Sequence, residues 1–259
     1  MAPLLEVRGL SRTFGGLQAL QAIDLVVEPG EIVGMIGPNG SGKTTFFNAL
    51  TGLFPATAGS VRFKDKDITR LPPHRITAAG LARTFQNQRL FNQMSVLENV
   101  LVGMHCRTRS GLAGIVLGTP GTRAEQERSR ARAMEILGFF RERLVPRADR
   151  PAYSLSYANR RRLEITRAMA TEPAMILLDE PAAGMNPSET RELMGDIVRL
   201  KERGFTILLI EHDMGLVRGV CSRVVALDHG VKIAEGDFAT VHDHPDVLEA
   251  YLGKRAAHA

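Results

Sequence analysis

Residues Gly37–Thr44 have the composition and spacing of a phosphate-binding loop, because they follow the pattern G-x-x-x-x-G-K-[ST]. An apolar run rich in branched side chains, Ile32–Ile36, precedes the loop, and a helical pattern follows it. Glycines let consecutive backbone N–H groups turn towards an anion, and the start of a helix adds positive partial charge. The sequence therefore predicts a site for a nucleoside triphosphate. The loop residues are Gly37, Pro38, Asn39, Gly40, Ser41, Gly42, Lys43 and Thr44.

Three side chains at the end of this loop have expected roles in binding the nucleotide. We expect Lys43 to reach the β- and γ-phosphates and Thr44 to place its hydroxyl on Mg²⁺. We expect Thr45 to cap the following helix or to contact the α-phosphate. This arrangement indicates phosphate chemistry that depends on a divalent cation.

Polar residues follow two further apolar runs. Met175–Leu178 is followed by two adjacent acids, of which we expect Asp179 to hold Mg²⁺ through water. Glu180 is expected to orient or deprotonate the water that attacks the nucleotide. Thr206–Ile210 ends in Glu211-His212-Asp213, and polar residues after a buried strand indicate the ligand-binding edge of an α/β sheet.

Short apolar runs between helical stretches are predicted to form the strands that position these residues. Several lack alternation of polar and apolar residues, as expected for strands covered by helices on both faces. The fold is therefore predicted to be α/β. The predicted strands are Ala22–Val27, Ile32–Ile36, Met175–Leu178, Thr206–Ile210 and Arg223–Leu227.

Two other regions differ from this pattern. Leu4–Val27 contains Gly15-Gly16 between two strand-like runs, which predicts a hairpin in a small antiparallel lobe. From about residue 86 to 169, helical patterns such as Ser95–Cys106 and Arg123–Leu144 predict a helical subdomain inserted into the sheet. Its arginines are spread among glutamates, and a pattern of base-stacking aromatics is missing, which favours a solvated helix face over a nucleic-acid groove.

The composition is that of a folded globular protein, with 259 residues, 44% hydrophobic and 24% charged. Disordered and fibrous classes are excluded, and this length predicts one large domain or two lobes. Two cysteines, Cys106 and Cys221, are too few for a disulfide framework, which is typical of a reducing compartment. We expect neither a secretory signal nor a membrane helix, because Glu6 and Arg8 interrupt the opening and no stretch approaches ~18 apolar residues. The net charge of +5 does not by itself identify a partner.

The ordered set of motifs resembles the ATP-binding subunit of ABC transporters over nearly the whole chain. The phosphate loop resembles the Walker A motif, Ile176–Pro181 resembles Walker B with its catalytic glutamate, and His212 resembles the switch histidine. Gln86 resembles the Q-loop glutamine, and Ala183–Asn186 occupies the position of the D-loop. Phe14 lies where this family places an aromatic residue that stacks on adenine.

The resemblance implies the architecture of a P-loop NTPase of the ABC type, with a RecA-like core, an N-terminal antiparallel β lobe and an inserted helical subdomain. Residues 1–85 and 170–235 are expected to form the nucleotide-binding core with the β lobe. Residues 86–169 are expected to form the helical subdomain with the signature motif, and residues 236–259 a helical tail. All belong to a single ABC ATPase domain.

The resemblance also implies hydrolysis of ATP with Mg²⁺ by in-line attack of water. In that mechanism Lys43 offsets the charge on the phosphates and Glu180 acts on the attacking water. His212 holds the γ-phosphate and the water, while Gln86 contacts the metal and links it to the membrane interface. These four residues are the expected catalytic residues.

The family's signature motif corresponds to Leu155–Asn159, and two of its residues depart from the family form. The resemblance implies that Ser156 and the N–H groups after it contact the γ-phosphate bound by the opposite subunit of a dimer. Ala158 and Asn159 replace the usual Gly-Gln, so we expect the Cβ of Ala158 to hinder approach to phosphate and give a weakened or asymmetric dimer. The alternative is a small shift of the loop that preserves activity. Arg160–Arg162 are expected to be exposed on the helix that follows, and contact with phosphate is the alternative.

Within this family the chain resembles the ATP-binding subunits of high-affinity branched-chain amino-acid importers. The resemblance rests on ARTFQNQRLFNQMSVLENVLVGMH, DEPAAGMNP, LLIEHDM and HPDVLEAYLG. It implies transmembrane permease subunits, a second ATP-binding subunit that is the same or a different chain, and, indirectly, a periplasmic or extracellular solute-binding protein. It also implies peripheral attachment to the cytoplasmic face of the inner membrane, with no nucleic-acid partner. Related subunits serve urea, amides and other small solutes.

The segment from Gln86 to Cys106 is expected to face the permease. Its apolar residues would supply a docking patch, and the alternative is that they are core residues of an amphipathic helix. These residues are Leu90, Phe91, Met94, Val96 and Leu97.

Three other classes of protein remain open from the sequence. A soluble ABC-type ATPase acting on nucleic acid or ribosomes usually has a coiled-coil insertion or two fused cassettes, whereas this chain has one cassette and a short insertion. A GTPase or small-molecule kinase would leave Asp179-Glu180 and the signature segment unexplained, and the guanine-binding motif NKxD is absent. A non-hydrolysing regulatory subunit is compatible with the altered signature, and measured turnover discriminates it.

Overall fold

The computed structural model describes residues 2–86, 89–107 and 119–252, and these form two compact units. The first unit comprises the described residues of Met1–Arg83 and Ala174–Ala259, and the second those of Thr84–Pro173. The second unit therefore begins at Thr84 rather than 86 and ends at Pro173 rather than 169.

In the described part of the chain, secondary structure alternates between strands and helices. The strands are β1 (Leu5–Phe14), β2 (Leu17–Val27), β3 (Ile32–Ile36), β4 (Ala58–Phe63), β5 (Lys66–Asp67), β6 (Leu81–Arg83), β7 (Met175–Asp179), β8 (Thr206–Ile210), β9 (Arg223–Asp228) and β10 (Val231–Gly236). The helices are α1 (Lys43–Leu50), α2 (Pro73–Ala79), α3 (Val96–Met104), α4 (Pro120–Leu137), α5 (Arg141–Leu144), α6 (Tyr157–Met169), α7 (Pro187–Glu202), α8 (Met214–Val220), α9 (Phe238–His242) and α10 (Pro245–Leu252). Short 3₁₀ turns cover His105–Arg107, Gly138–Phe140, Val145–Arg147 and Ala152–Ser154.

The larger sheet lies in the first unit and has the strand order β10-β9-β3-β8-β7-β6. Its pairs are parallel except that of β10 with β9. Every residue of β3, β7 and β8 is buried, as their continuous apolar sequences require. The predicted α/β fold is therefore confirmed.

The strand boundaries agree closely with the apolar runs. The predicted Ile32–Ile36 and Thr206–Ile210 match β3 and β8 residue for residue, and β7 and β9 each extend one residue further, to Asp179 and Asp228. The strand β2 begins at Leu17 rather than Ala22. Gln18 and Gln21 interrupt its first residues, so they leave no apolar run in the sequence.

The smaller sheet, with the order β2-β1-β4-β5, forms the predicted antiparallel lobe of the first unit. Phe14 pairs with Leu17 across the two-residue turn Gly15-Gly16, which confirms the predicted hairpin. One apolar cluster joins both sheets to α1, whose Phe46 and Phe47 are fully buried in it. This packing fixes α1, and with it the end of the phosphate-binding loop, between the sheets.

The second unit is helical in its described residues. Ser95 and Glu98 form a reciprocal capping box at the start of α3, and Ser156 caps α6. The predicted helix Arg123–Leu144 is interrupted after Leu137 by a 3₁₀ turn before α5 begins. Among the described residues of both units, no helix is both long enough and apolar enough to cross a membrane.

Candidate functional site

The phosphate-binding loop runs from the end of β3 to the start of α1, as predicted. Gly37 has a φ of +145°, and a Cβ there would lie 2.1 Å from the carbonyl oxygen of Leu227. Gly42 has a φ of +104°, and a Cβ there would lie 2.8 Å from the carbonyl oxygen of Ala19. Only glycine fits either position, so the loop is held between the end of β9 and the strand β2.

Lys43 turns back over the loop that precedes it. Its Nζ donates hydrogen bonds to the carbonyl oxygens of Gly37 (2.7 Å) and Pro38 (2.8 Å), and the side chain of Lys43 is buried. Burial lowers the pKa of Lys43, whereas the charges of Glu180 and Asp179 oppose that shift. The loop therefore encloses an ammonium group within range of two carboxylates.

Asp179, the last residue of β7, forms a buried ion pair that the sequence did not predict. Its Oδ2 accepts a hydrogen bond from Arg83 Nη2 at 2.7 Å. Arg83 Nη1 also donates to Asn48 Oδ1 of α1 at 2.7 Å. Arg83 thus ties the acid to the helix that follows the phosphate-binding loop. The only sequence signal for it is a charged residue at the end of a short apolar strand.

The oxygen donors near the loop fit a magnesium ion that is shared with a nucleotide. Thr44 offers a hydroxyl and Asp179 a carboxylate, which are the hard oxygen ligands that Mg²⁺ prefers. Among the described residues, no group of three or more His, Cys, Asp or Glu side chains is arranged to hold a metal ion. This donor set suits Mg²⁺, because that ion is usually held by one or two protein oxygens together with phosphates and water.

Glu180 and His212 meet at the ends of the neighbouring strands β7 and β8. His212 Nε2 lies 2.9 Å from Glu180 Oε1, and the Glu180 N–H donates to the carbonyl oxygen of Ile210 at 2.9 Å. Glu180 has a φ of +46°, a strained conformation for a residue other than glycine, and such strain is concentrated at functional sites. The structure therefore brings together the two polar residues predicted from separate strand ends.

Glu211 is a second residue whose role the sequence did not predict. It is buried, and its carboxylate accepts hydrogen bonds from the N–H groups of Ala182 (2.7 Å), His212 (2.9 Å) and Asp213 (3.3 Å). Burial raises the pKa of Glu211, and the nearby charge of Glu180 adds to the shift. Glu211 thus fixes the backbone of His212 and of the segment that follows Glu180.

Phe14 lies at the tip of the β1–β2 hairpin with its ring 37% exposed. The Arg12 guanidinium lies 4.4 Å from the centroid of this ring, and Phe54 contacts it edge-on at 5.5 Å. The Ala19 carbonyl oxygen of β2 lies beside Gly42 of the phosphate-binding loop, and Phe14 precedes β2 across the Gly15-Gly16 turn. This arrangement leaves an aromatic surface for a planar base.

The second unit holds the other two predicted binding residues. Ser156 is exposed, and its Oγ accepts a hydrogen bond from the Asn159 N–H at 3.4 Å. Gln86 is also exposed, and its carbonyl oxygen accepts a hydrogen bond from Arg161 Nη2 at 3.0 Å.

Arg161 and Glu164 of α6 form an ion pair that also binds the backbone of Phe85, Gln86 and Arg89, the described residues of the Gln86 segment. Arg161 Nη1 donates to the Phe85 carbonyl oxygen (2.7 Å) and to Glu164 Oε2 (2.9 Å). Glu164 Oε1 accepts from the Arg89 N–H at 2.9 Å, and burial raises the pKa of Glu164. One buried ion pair on α6 therefore binds Phe85 and Gln86 on one side of the segment and Arg89 on the other.

One expectation for the second unit, the exposure of the arginines at the start of α6, needs correction. Arg161 and Arg162 are 0% and 3% exposed and Arg160 is half-buried, so the predicted exposure of Arg160–Arg162 is wrong. Arg161 is buried because it binds the carbonyl oxygens of Phe85 and Gln86, which are distant in sequence. Ala158 is 3% exposed, and its expected effect on the approach to phosphate stays a prediction. Asn159, also buried, accepts a hydrogen bond from Arg162 at 3.2 Å.

The predicted docking patch is divided between core and surface. Val96 and Leu97 are buried in α3, so core packing holds for these two. Phe91 is 48% exposed, while Leu90 and Met94 are half-buried. A docking surface in this segment would therefore be centred on Phe91.

Two family profiles match the sequence. The one described as "ABC transporter" matches residues 20–183, and the one described as "Branched-chain amino acid ATP-binding cassette transporter" matches residues 231–257. Over 97% of its length, the chain is 46% identical to LivG, the high-affinity branched-chain amino acid transport ATP-binding protein of Escherichia coli K12, of which 98% is covered. It is 45% identical to BraF, a protein of Pseudomonas aeruginosa with the same description, with the same coverage of both chains.

Solved structures of ATP-binding cassettes have the same fold. The ADP conformation of MJ1267, an ATP-binding cassette of an ABC transporter, is 33% identical, with a TM-score of 0.84 over 98% of this chain and 100% of that one. The dimeric post-hydrolysis state of the cassette MJ0796, bound to ADP and Pi, is 26% identical, with a TM-score of 0.74 over 90% of this chain and 98% of that one.

Proposed function

This chain belongs to the ABC transporter family of ATP-binding cassettes, and we propose that its ATP hydrolysis powers a membrane importer of branched-chain amino acids. The contact between His212 and Glu180 is the observation that supports ATP hydrolysis by this chain. It lies at the carboxyl edge of the parallel sheet, where open α/β folds bind their ligands. The full-length similarity to LivG and BraF supports the choice of solute.

The first unit supplies the residues that bind ATP. The N–H groups of the phosphate-binding loop and the start of α1 surround the phosphates, Lys43 contacts the β- and γ-phosphates, and Thr45 contacts the α-phosphate. Phe14 stacks on the adenine ring, with Arg12 on its other side. Thr44 and Asp179 would hold Mg²⁺, which would supply charge that offsets the negative charge of the phosphates.

Hydrolysis then depends on Glu180 and His212. Glu180 accepts a proton from the attacking water, or orients that water, as its oxygen attacks the γ-phosphorus in line with the leaving ADP. His212 holds Glu180 at 2.9 Å and contacts the γ-phosphate. Glu211 keeps His212 in this orientation through its backbone N–H. The bond from the γ-phosphorus to the bridging oxygen breaks, and the products are ADP and inorganic phosphate.

The second unit completes the site in an assembled dimer. Ser156 and the N–H groups at the start of α6 contact the γ-phosphate bound by the opposite cassette. Because the methyl group of Ala158 is buried, a dimer of two identical chains is compatible with the altered signature. Gln86 couples the binding and hydrolysis of ATP to a permease, and the permease docks near the exposed Phe91. The cassette is then peripheral to the cytoplasmic face of the membrane, and it meets the solute-binding protein only through the permease.

A homodimeric site is tested by the dependence of ATP hydrolysis on protein concentration. If each chain completes the site of another, the rate of the purified chain rises faster than linearly with its concentration, because dimers form by mass action. ATP binding without turnover at any concentration would contradict the homodimer. It would favour either a different ATP-binding partner or a non-hydrolysing regulatory subunit.

The proposed solute is tested by transport in proteoliposomes. The vesicles contain this chain with its permease subunits, ATP on the face that carries the chain, and radiolabelled leucine with the solute-binding protein on the other face. We expect ATP-dependent uptake that unlabelled isoleucine and valine reduce and unlabelled urea does not. Uptake of labelled urea instead of leucine would overturn the choice of solute and leave the ATPase assignment intact.

A further inference from the structure

The C-terminal helix α10 is anchored beside the phosphate-binding loop. Val247 is buried in an apolar cluster that also contains Ile36, the last residue before the loop. Tyr251 lies four residues after Val247 and therefore on the same side of the helix. The packing of Val247 thus directs Tyr251 towards the loop.

The hydroxyl of Tyr251 accepts a hydrogen bond from the Gly37 N–H at 2.8 Å. The carbonyl oxygen of the same glycine accepts a hydrogen bond from Lys43 Nζ at 2.7 Å. Gly37 is therefore bound on one side to α10 and on the other to the lysine that contacts phosphate. A movement of this glycine would change the position of both the loop and Lys43.

A cavity of about 760 Å³ lies beside the middle of the loop, lined by Pro38–Ser41 and by Asp246, Glu249 and Ala250 of α10. Gly37 is buried, whereas the loop residues that follow it border open space, so the contacts of Gly37 decide where the loop begins. Burial raises the pKa of Tyr251 above its ordinary value, so the phenol stays protonated and neutral at physiological pH.

We propose that Tyr251 is a positioning residue for nucleotide binding, which acts by holding the Gly37 amide and so keeps the loop in its phosphate-binding conformation. The proposal rests on the ATP-binding function proposed above. Tyr251 touches no phosphate in this role. Its contribution is to order the loop before ATP arrives, and preorganisation of this kind increases affinity.

Replacing Tyr251 by Phe removes the hydroxyl and keeps the ring. We expect the Kd of ATP and that of ADP to rise by the same factor, about three- to tenfold, which is the usual range for one hydrogen bond. The KM for ATP rises with them, while kcat at saturating ATP is unchanged, because no contact to the γ-phosphate or the water is lost. Titration calorimetry and steady-state ATPase assays measure the two effects.

The matched control is Leu252→Ala, because Leu252 neighbours Tyr251 on α10 and is 60% exposed. It should leave Kd, KM and the melting temperature unchanged. A second readout needs no nucleotide: the Gly37 amide should exchange with solvent faster in Tyr251→Phe than in the wild type, as followed by NMR.

Two results would overturn the proposal. One is a Kd and a Gly37 exchange rate in Tyr251→Phe equal to those of the wild type. The other is a fall in kcat and melting temperature with an unchanged Kd, which would assign Tyr251 a structural role only. Failure of this proposal can be distinguished from failure of the proposed function. If the proposed function is wrong, the wild type does not hydrolyse ATP, but the exchange rate of the Gly37 amide still measures its hydrogen bond to Tyr251.

Discussion

Glu180→Gln is expected to lower kcat for ATP hydrolysis by about 10²- to 10⁴-fold, the range that one general base contributes. Glutamine has the same shape and can keep the contact to His212 that Glu180 makes at 2.9 Å. It cannot accept a proton from water. Since ATP still binds, the variant should accumulate as an ATP-bound dimer. Steady-state ATPase assays and size-exclusion chromatography with ATP measure the two results.

The control for this variant is Glu202→Gln, which removes the same charge at an exposed position near the end of α7. Its kcat should equal that of the wild type. Normal turnover in Glu180→Gln would refute the role of Glu180, and loss of ATP binding in that variant would instead assign Glu180 to the binding site.

Arg161→Met is expected to lower the stability of the chain by about 3–5 kcal/mol, because it removes the guanidinium that pairs with the buried carboxylate of Glu164 at 2.9 Å. In a chain of this size that corresponds to a fall in Tm of roughly 10 °C. The variant also loses the hydrogen bonds to the carbonyl oxygens of Phe85 and Gln86. Calorimetry measures Tm, and hydrogen exchange measures the loosening of the Gln86 segment.

Two further variants separate charge from packing. Arg161→Met combined with Glu164→Met removes both charges and should recover much of the lost stability. Arg128→Met, which changes an exposed arginine of the same unit, should leave Tm unchanged. A double variant no more stable than Arg161→Met would contradict the ion-pair explanation.

The pH dependence of Arg161→Met provides a further check on the same ion pair. Burial already raises the pKa of Glu164 in the folded wild type, and loss of Arg161 should raise it further. A folded-state pKa above the unfolded value favours the folded state at low pH, and this advantage is lost as pH rises through the folded pKa. The deficit in Tm should therefore be smaller near about pH 5.5 than near about pH 8.

The sequence predicted the features that depend on local patterns. The boundaries of β3 and β8 follow from uninterrupted apolar runs, and the phosphate-binding loop follows from its glycine spacing. Glu180 and His212 were predicted to follow separate strands, and the structure shows that these strands are neighbours, so that the two side chains meet.

The residues that sequence reasoning missed depend on partners far along the chain. Arg83 binds Asp179 across 96 residues, Arg161 binds the Gln86 carbonyl across 75, and Tyr251 binds Gly37 across 214. A charged side chain in an isolated sequence favours solvent exposure, and only the folded chain supplies the groups that let it be buried. The expected exposure of Arg161 was wrong for this reason.

The order of strands in the larger sheet has a consequence for the synthesis of this protein. Its central strand β3 pairs only with β8 and β9, which leave the ribosome more than 150 residues later. The helical unit is continuous in sequence from Thr84 to Pro173 and can form its local contacts first. During that interval β3 has neither neighbour, and unpaired apolar strands are prone to aggregate. A nascent chain therefore acquires its nucleotide-binding loop among its last structures, and a prematurely terminated chain lacks it.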